Sequence, residues 1–209
     1  MAVDPESALR QREDVVPRRE QSFGNYADRL SRILQAQDWS PVQRLALALR
    51  HAWRNGRRVF LCGNGGSAAN AIHIANDLLY GIDAKGAGIR VTALPANSSV
   101  LTCLGNDLGY DEIFSRQLKV HGEKGDVLLV LSGSGNSPNV VKAIEQAKAL
   151  GMQTFAILGY SGGKCATLAD VPIHFAIDDM QISEDLQLVV GHMLMQWLCA
   201  NPPGSESEL

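Results

Sequence analysis

The chain has 209 residues, of which 45% are hydrophobic and 20% are charged, a composition typical of globular proteins and not of disordered ones. Its formal net charge of −3 gives no reason to expect a nucleic-acid partner, and no apolar run reaches the ~18 residues that a membrane span needs. The polar start is not a secretory signal and the four cysteines are scattered, so we expect a cytoplasmic protein without a disulfide framework.

Two helices are expected before the main body of the fold. Residues 1–20 are charged and contain two prolines, which predicts a flexible N-terminus, and residues 201–209 predict a solvated tail. Residues 21–56 predict a helical extension, because apolar residues recur there at helical spacing. In the first helix these residues are Phe23, Tyr26, Leu30, Ile33 and Leu34. The second helix is expected to have Ser40 as its N-cap and Pro41 at its first position, and to end near Gly56.

From residue 57 onward, short apolar runs alternate with helical stretches. The runs are RRVFLC, IRVTALP, GDVLLVLS, QTFAIL and VPIHFAI. Such short runs, most with β-branched residues, are typical of buried parallel strands joined by crossover helices. We therefore predict a single α/β domain over residues 21–200, a three-layer α-β-α sandwich with a five-stranded parallel sheet.

A loop rich in serine and glycine follows the third of these runs. It contains Ser132, Gly133, Ser134, Gly135 and Ser137, and a helix is expected to start at Pro138. The hydroxyl groups, the glycine backbone and the amides at the start of that helix together suit a phosphate group. The alternative is that Ser137 only caps the helix and that the rest is a flexible turn, and both can hold at once.

A similar loop follows the first run and matches the pattern G-x-G-x-x-A over residues 63–68. A dinucleotide-binding loop of this pattern requires an acidic residue at the end of the next strand, to hold a ribose. That strand, IRVTALPAN, ends without one, so we expect no nucleotide cofactor. Because open α/β sheets bind ligands beyond the carboxyl ends of their strands, the two loops are expected to form two walls of one crevice.

His73 and Asp77 follow the first loop at a spacing of four residues, which places them on one face of a helix. There they could share a metal ion or a substrate. The same spacing occurs in solvated pairs and in buried histidines that have a hydrogen-bond partner, so the sequence leaves these alternatives open.

The last helix carries a second polar pair, Glu184 and His192. His192 is expected to be embedded among apolar neighbours, where an imidazole without a partner would be unfavourable. Glu184 lies eight residues earlier, about 12 Å of helix and some 80° of rotation away. The two side chains can meet at one site only if Glu184 lies at a frayed helix start or if different subunits contribute them. Alternatively, Glu184 and Asp185 simply suit the positive end of the helix dipole.

Four segments of the chain resemble a known family. The segments are CGNGGSAANAIHIANDL, LGNDLGYDEIFSRQL, GDVLLVLSGSGNSPNVVKAIEQAKALGM and GYSGGKCATLADVPI. They are similar to motifs of the phosphoheptose isomerases, which are also called sedoheptulose 7-phosphate isomerases and have the sugar isomerase (SIS) fold. The resemblance extends from about residue 20 to residue 199 and includes the two leading helices.

This resemblance implies a cytoplasmic homotetramer that uses residues 21–56 for oligomerisation and has its active sites between subunits. The enzyme would convert sedoheptulose 7-phosphate to D-glycero-D-manno-heptose 7-phosphate through an enediol, for heptose biosynthesis. The implied substrate-binding residues are Asn64, Gly65, Ser67, Asn106, Asp107, Ser132, Gly133, Ser134 and Ser137. The implied catalytic residues are Asp77, Glu184 and His192, and one zinc ion per active site would be held by His73, Asp77, Glu184 and His192.

Three positions depart from the pattern of the family. Asp77 stands where the isomerases usually carry glutamate, Glu184 where they usually carry glutamine, and Gly133 where threonine is often present. A carboxylate shortened by one methylene retracts by more than about 1 Å, and misplacement of that size can cost on the order of 10²-fold in rate. If four side chains hold a metal tightly, none of them is free as a base, and the metal would then be regulatory or structural.

The main alternative is a non-catalytic binding protein of the same fold, which recognises a phosphosugar or a protein partner. The segment SAANA also resembles the replication-initiator-associating protein, a non-enzymatic relative that lacks the histidine near the C-terminus. His192 is present in this chain, and its presence favours an enzyme.

Overall fold

The computed structural model describes residues 23–204, so the predictions for residues 1–20 and for residues 205–209 lie outside the described residues. The chain divides into two compact units, one that ends at Gln37 and one that begins at Asp38. Helix α1 (Phe23–Ala36) is the described element of the first unit. It carries apolar side chains on one face, as its spacing predicts, and none of its residues is buried.

The second unit alternates helices and strands. Its elements are α2 (Ser40–Arg54), β1 (Arg58–Cys62), α3 (Gly66–Asn76), β2 (Arg90–Ala93), α4 (Ser98–Asp107), α5 (Ser115–His121), β3 (Val127–Ser132), α6 (Pro138–Ala149), β4 (Gln153–Leu158), α7 (Gly163–Leu168), β5 (Val171–His174) and α8 (Met180–Ala200). A π-helical turn (Asp77–Gly81) extends α3, and short 3₁₀ turns lie at Leu94–Ala96 and Tyr110–Glu112. Each strand lies within one of the apolar runs, which confirms the predicted strands.

The strands form one parallel sheet in the order β2-β1-β3-β4-β5. Strand β3 lies at the centre, pairs with β1 and β4, and is buried along its whole length. Its register places Val127 beside Val59 on one side and beside Gln153 on the other. A strand covered on both faces needs no polar alternation, which is why continuous apolar runs predicted these strands correctly.

Helices cover both faces of the sheet, which confirms the three-layer sandwich. Helices α2, α3 and α8 pack on one face, and α5, α6 and α7 pack on the other. Successive strand residues point to opposite faces, so Phe60 joins the core under α5 and α6, while Val59 and Leu61 are buried under α2 and α3.

The start of α2 differs from the prediction by one residue. Ser40 is the first helical residue and not the N-cap, and Trp39 takes the capping position without a side-chain hydrogen bond. The Asp38 carboxylate provides a hydrogen-bond partner at the start of the helix. It accepts hydrogen bonds from the Ser40 amide at 3.0 Å and from the Ser40 hydroxyl at 2.7 Å. These hydrogen bonds hold the pKa of Asp38 below its ordinary value.

Two further features concern the chemistry of the chain. All four cysteines are free thiols, and burial raises the pKa of Cys165 to about 11 and also raises that of Cys62.

Within residues 23–204, no helix combines the length and the apolar character needed to cross a bilayer.

The strand order reverses between β1 and β3, which are neighbours in the sheet although β2 lies between them along the chain. Open α/β sheets bind ligands at such a switch point, beyond the carboxyl ends of the strands. Strand β1 ends at Cys62 and β3 ends at Ser132, so the two glycine-rich loops leave the sheet side by side. The fold thus brings together the two loops that the sequence places in one crevice.

Candidate active site

A cleft of about 250 Å³ opens between the two loops at the switch point. Its lining residues are Asn64, Gly65, Gly66, Ser67, Leu131, Ser132, Gly133, Ser134, Ser137, Met180 and Glu184. A larger cleft of about 570 Å³ lies beside Gln153 and Val171, where β4 and β5 begin. Because open α/β sheets bind ligands at the carboxyl ends of their strands, the smaller cleft is the candidate site.

The serine loop, residues 132–137, is shaped by its own hydroxyl groups and glycines. The Ser132 hydroxyl accepts a hydrogen bond from the Gly135 amide at 3.0 Å, so its own proton is left for another partner. Gly135 has a φ of +64°, and a Cβ there would overlap the carbonyl of Gly162, so only glycine fits. Ser137 occupies the predicted N-cap position of α6, but its side chain makes no capping hydrogen bond and lines the cleft.

Asn64, on the opposite wall, is held in a fixed orientation by two side chains. The amides of Asn64 and Asn139 exchange hydrogen bonds of 2.9 and 2.8 Å. The Tyr110 hydroxyl donates to the same Asn64 oxygen at 3.0 Å. A polar group that is held this way is pre-organised for a ligand.

Gly133 lies against the side chain of Met180. A Cβ at position 133 would come within 2.6 Å of the Met180 sulfur and 3.7 Å of the Tyr160 ring. The space that a larger residue would need is therefore occupied by Met180, which also forms an apolar part of the cleft.

Glu184 is the one carboxylate among the residues that line the cleft. Its carboxyl group lies over Gly66, the first residue of α3, so closely that a Cβ at Gly66 would overlap it. The amino end of a helix carries partial positive charge, and a carboxylate is favourable there.

His73, Asp77 and His192 form a cluster further along α3 and α8. The Nε2 atoms of the two imidazoles are 3.0 Å apart. Oδ2 of Asp77 lies 3.5 Å from Nε2 of His73 and 3.9 Å from Nε2 of His192. The side chains of His73 and His192 are 49% and 52% exposed, whereas that of Asp77 is 12% exposed. The buried carboxylate therefore faces two imidazoles that solvent or a ligand can reach.

These three side chains fit a divalent metal ion. One ligand atom of each lies within 4.8 Å of the others. Oδ2 of Asp77 is buried and has no hydrogen-bond partner among the described residues, which is unfavourable unless a cation or a proton reaches it. Two imidazole nitrogens and a carboxylate oxygen are a ligand set that catalytic Zn²⁺ sites use, with a further position left open.

Helices α3 and α8 run side by side in the same direction. The cleft lies near their amino ends, and the cluster of His73, Asp77 and His192 lies further along both helices. Glu184 contacts Gly66 near their amino ends, and Gly191 approaches Ile74 so closely that a Cβ would come within 2.6 Å of it. His73 lies seven residues beyond Gly66, which corresponds to about 10 Å along α3. The imidazole cluster therefore lies about 10 Å from the start of α3, measured along the helix axis.

Comparisons with known proteins identify the family of this chain. The family model of the SIS domain matches residues 22–159. A phosphoheptose isomerase of Chlorobaculum parvum is 39% identical over 82% of this chain and 83% of its own length. Another, from Rhodospirillum rubrum, is 45% identical over 68% of this chain and 75% of its own length. The chain belongs to the phosphoheptose isomerase family. The solved structure of a phosphoheptose isomerase from Neisseria gonorrhoeae has a TM-score of 0.78 at 29% identity, covering 85% of this chain and 96% of that one.

Most of the substrate-binding residues expected of a phosphoheptose isomerase line the cleft. They are Asn64, Gly65, Ser67, Ser132, Gly133, Ser134 and Ser137. Asn106 and Asp107 do not line it; they are exposed at the end of α4, where Asp107 accepts hydrogen bonds from Asn106 and Cys103. Tyr110, a few residues beyond α4, does contact the site, because its hydroxyl donates a hydrogen bond to Asn64.

The predicted metal set of a phosphoheptose isomerase is formed only in part within one chain. His73, Asp77 and His192 come together as predicted, but Glu184 lines the cleft and does not join them. The reason is the separation of Glu184 and His192 by eight residues, about 12 Å of helix. His192 also differs from the prediction, because it is half exposed beside His73 and is not embedded among apolar neighbours.

The polar residues behind the site were not predicted. Asn139 lies two residues beyond the serine loop, and Asn70 shares a helical face with Ser67, so polar residues close to the motifs are the signal for both. Gln187 has no local signal, because its partner Ser67 is 120 residues away in the chain.

Proposed function

We propose that this protein is a sugar-phosphate isomerase that converts sedoheptulose 7-phosphate to D-glycero-D-manno-heptose 7-phosphate through an enediol. The observation that carries this proposal is that the cleft of the serine loop lies at the start of α3 and the cluster of His73, Asp77 and His192 lies about 10 Å further along the same helix and its parallel neighbour α8. The serine loop suits an anion, and the cluster supplies groups for proton transfer.

The cleft offers hydrogen-bond donors for a phosphate without any lysine or arginine among its lining residues. Ser132, Ser134 and Ser137 contribute hydroxyl groups, and the amino end of α6 contributes partial positive charge. Asn64 and Ser67, on the opposite wall, are assigned to the oxygen atoms of the sugar.

Proton transfer between adjacent carbons requires an acid and a base that both reach the same pair of carbons. His192 and Asp77 lie together beside His73, so we assign the acid/base role to this cluster. The buried Asp77 carboxylate lies within 4 Å of both imidazole Nε2 atoms and orients the two rings. Glu184 is about 12 Å from His192 along α8, so within one chain we assign it to the sugar near the phosphate and not to the reacting carbons.

We further propose one Zn²⁺ ion per active site, held by His73, Asp77 and His192, because the cluster fits its preferred ligands. When bound, the ion would supply Lewis-acid polarisation of the sugar carbonyl. Side chains that hold a metal are not free as bases, so added zinc should raise the rate if the ion is catalytic and lower it if the free side chains carry out the proton transfer.

The assembly that we propose is a cytoplasmic homotetramer, as the family resemblance implies. Helix α1 has an apolar face and no buried residue. In the second unit, α2 and α8 form an apolar cleft of about 390 Å³ that is lined by Trp39, Val42, Gln43, Ala46, Met193, Leu194 and Trp197. Exposed apolar surface of this kind is typical of protein–protein contacts.

Incubation of the purified protein with sedoheptulose 7-phosphate, with and without zinc, tests the isomerase through formation of the aldose phosphate. We expect turnover by the wild type and a loss of about 10²-fold or more in His192→Ala, because an acid/base group typically contributes this much. His121→Ala removes an exposed histidine on α5 and should keep the wild-type rate. Binding of the sugar phosphate without turnover would contradict the isomerase and favour the non-catalytic binding protein.

A further inference from the structure

A buried chain of hydrogen bonds runs from α8 to Ser67 behind the cleft. The Asn70 amide nitrogen donates to the backbone carbonyl of Glu184 at 3.0 Å and to Oε1 of Gln187 at 2.9 Å. The Gln187 amide nitrogen then donates to the Ser67 hydroxyl oxygen at 3.0 Å. Gln187 is 1% exposed and Ser67 is 4% exposed, so each depends on these protein partners.

The backbone carbonyl of Glu184 determines the direction of every bond in this chain. A carbonyl oxygen can only accept, so the Asn70 atom beside it must be the amide nitrogen. The same nitrogen contacts Gln187, which must therefore present its oxygen there and its nitrogen to Ser67. Turning either amide around would bring two acceptors or two donors face to face, which is unfavourable in a buried position.

We propose that Gln187 is a positioning residue that makes Ser67 a hydrogen-bond donor toward the ligand in the cleft. The Ser67 oxygen accepts from Gln187, and among the described residues no hydrogen bond uses the Ser67 proton. Ser67 lines the cleft, so this proton is left for a ligand atom. The arrangement selects an acceptor, a carbonyl or phosphoryl oxygen, and the choice of a sugar phosphate as its source rests on the proposed function.

Gln187→Glu tests the direction of the chain. The new carboxylate accepts from Asn70 and also from the Ser67 hydroxyl, so the Ser67 proton turns away from the ligand. We expect the Kd for sedoheptulose 7-phosphate, measured by calorimetry, to rise about tenfold or more, because one hydrogen bond to the ligand is lost and the new carboxylate repels the phosphate. KM should rise by a larger factor than kcat falls, because the lost contact is made in the ground state as well.

The Ser67→Ala background separates positioning from a general structural effect. There, Gln187→Glu should weaken binding by a smaller factor than it does when Ser67 is present, because only the charge repulsion of the new carboxylate remains and the hydroxyl that Gln187 orients is absent. Gln196→Glu makes the same change at an exposed position of α8 and should bind as the wild type does.

Gln187→Met is the second variant, in case the buried carboxylate prevents folding. It removes the hydrogen bond to Ser67 without adding charge, and we expect binding about threefold weaker, an effect that is absent in the Ser67→Ala background. Equal losses of affinity in both backgrounds, or no loss in either, would overturn the proposal. A wild type that binds the sugar phosphate without turnover would overturn the isomerase assignment, while the binding data would still decide the role of Gln187.

Discussion

Glu184 places a carboxylate in the same cleft as the serine loop, so this side chain and a bound phosphate repel each other. The amino end of α3, at Gly66, offsets part of the negative charge of Glu184. The isomerases of this family usually carry glutamine at this position, which has the same length and no charge. We therefore expect Glu184 to lower the affinity for phosphate relative to glutamine, without removing a donor of the serine loop.

Glu184→Gln should accordingly tighten the binding of inorganic phosphate by about three- to tenfold at low salt, with a smaller effect at high salt because ions screen the repulsion. Isothermal calorimetry at two ionic strengths measures this change. Asp185→Asn removes the same charge from the neighbouring residue, which does not line the cleft, and should leave the Kd nearly unchanged. Weaker phosphate binding in Glu184→Gln would contradict the repulsion.

Asp77 shows that the shorter carboxylate still reaches both imidazoles. It is the first residue of the π-helical turn that extends α3, and such turns are frequent at functional sites. Its Oδ2 lies within 4 Å of both Nε2 atoms, and it is buried and without a hydrogen-bond partner in the described part of the chain. The departure from the usual glutamate therefore preserves the cluster.

At the scale of elements, ion pairs join the 3₁₀ turn Tyr110–Glu112 to helix α6 beside the site. Lys142 on α6 donates to the carboxylates of Asp111 at 2.5 Å and Glu112 at 2.7 Å, both in the turn that also carries Tyr110. These hydrogen bonds from Lys142 hold the pKa of Asp111 and of Glu112 below their ordinary values. In return, the two carboxylates raise the pKa of Lys142 to about 12. The turn that orients Asn64 through Tyr110 thus depends on one cation.

Lys142→Met should destabilise the fold at neutral pH, and the difference from the wild type should depend on pH. Carboxyl groups with lowered pKa values stabilise the fold above their ordinary values of 3.8 and 4.5, and this stabilisation is lost as the pH falls through the lowered values. The raised pKa of Lys142 adds stability below its ordinary value of 10.5, and that stability is lost as the pH rises through about 12.

Urea unfolding at about pH 7 and about pH 3 measures this difference for Lys142→Met. Lys119→Met, at an exposed position of α5, serves as the control and should unfold like the wild type at both values. A difference for Lys142→Met that persists undiminished at low pH would show that lost packing, and not the ion pairs, is responsible.

Local patterns predicted those features of this fold that lie within one element. The buried runs predicted the strands, and the loops after β1 and β3 could be placed in one crevice because the carboxyl ends of parallel strands meet at one edge. Contacts between elements far apart in the chain were not predicted, except for the cluster of His73, Asp77 and His192, which the family resemblance implied. The bond between Gln187 and Ser67, and the place of Glu184 against Gly66, depend on how closely α3 and α8 approach, which no local spacing encodes.

At the scale of the whole molecule, two apolar surfaces are left exposed in a single chain. One is the face of α1, whose residue Phe23 is 98% exposed. The other is the cleft between α2 and α8, which includes Met193, 40% exposed and adjacent to His192 in sequence. Large exposed apolar surface is uncommon in monomers, so the homotetramer that we propose would cover surface that one chain leaves in water.

Leu30→Glu should therefore reduce the assembly. The residue lies on the apolar face of α1, is only half-buried in the chain, and a buried charge in a subunit contact is strongly unfavourable. Light scattering coupled to gel filtration should give the mass of four chains for the wild type and a smaller mass for Leu30→Glu. Ser31→Glu places the same charge at an exposed position of α1 and should keep the wild-type mass. If the wild type runs as one chain, or if both variants stay tetrameric, α1 does not form the subunit contact.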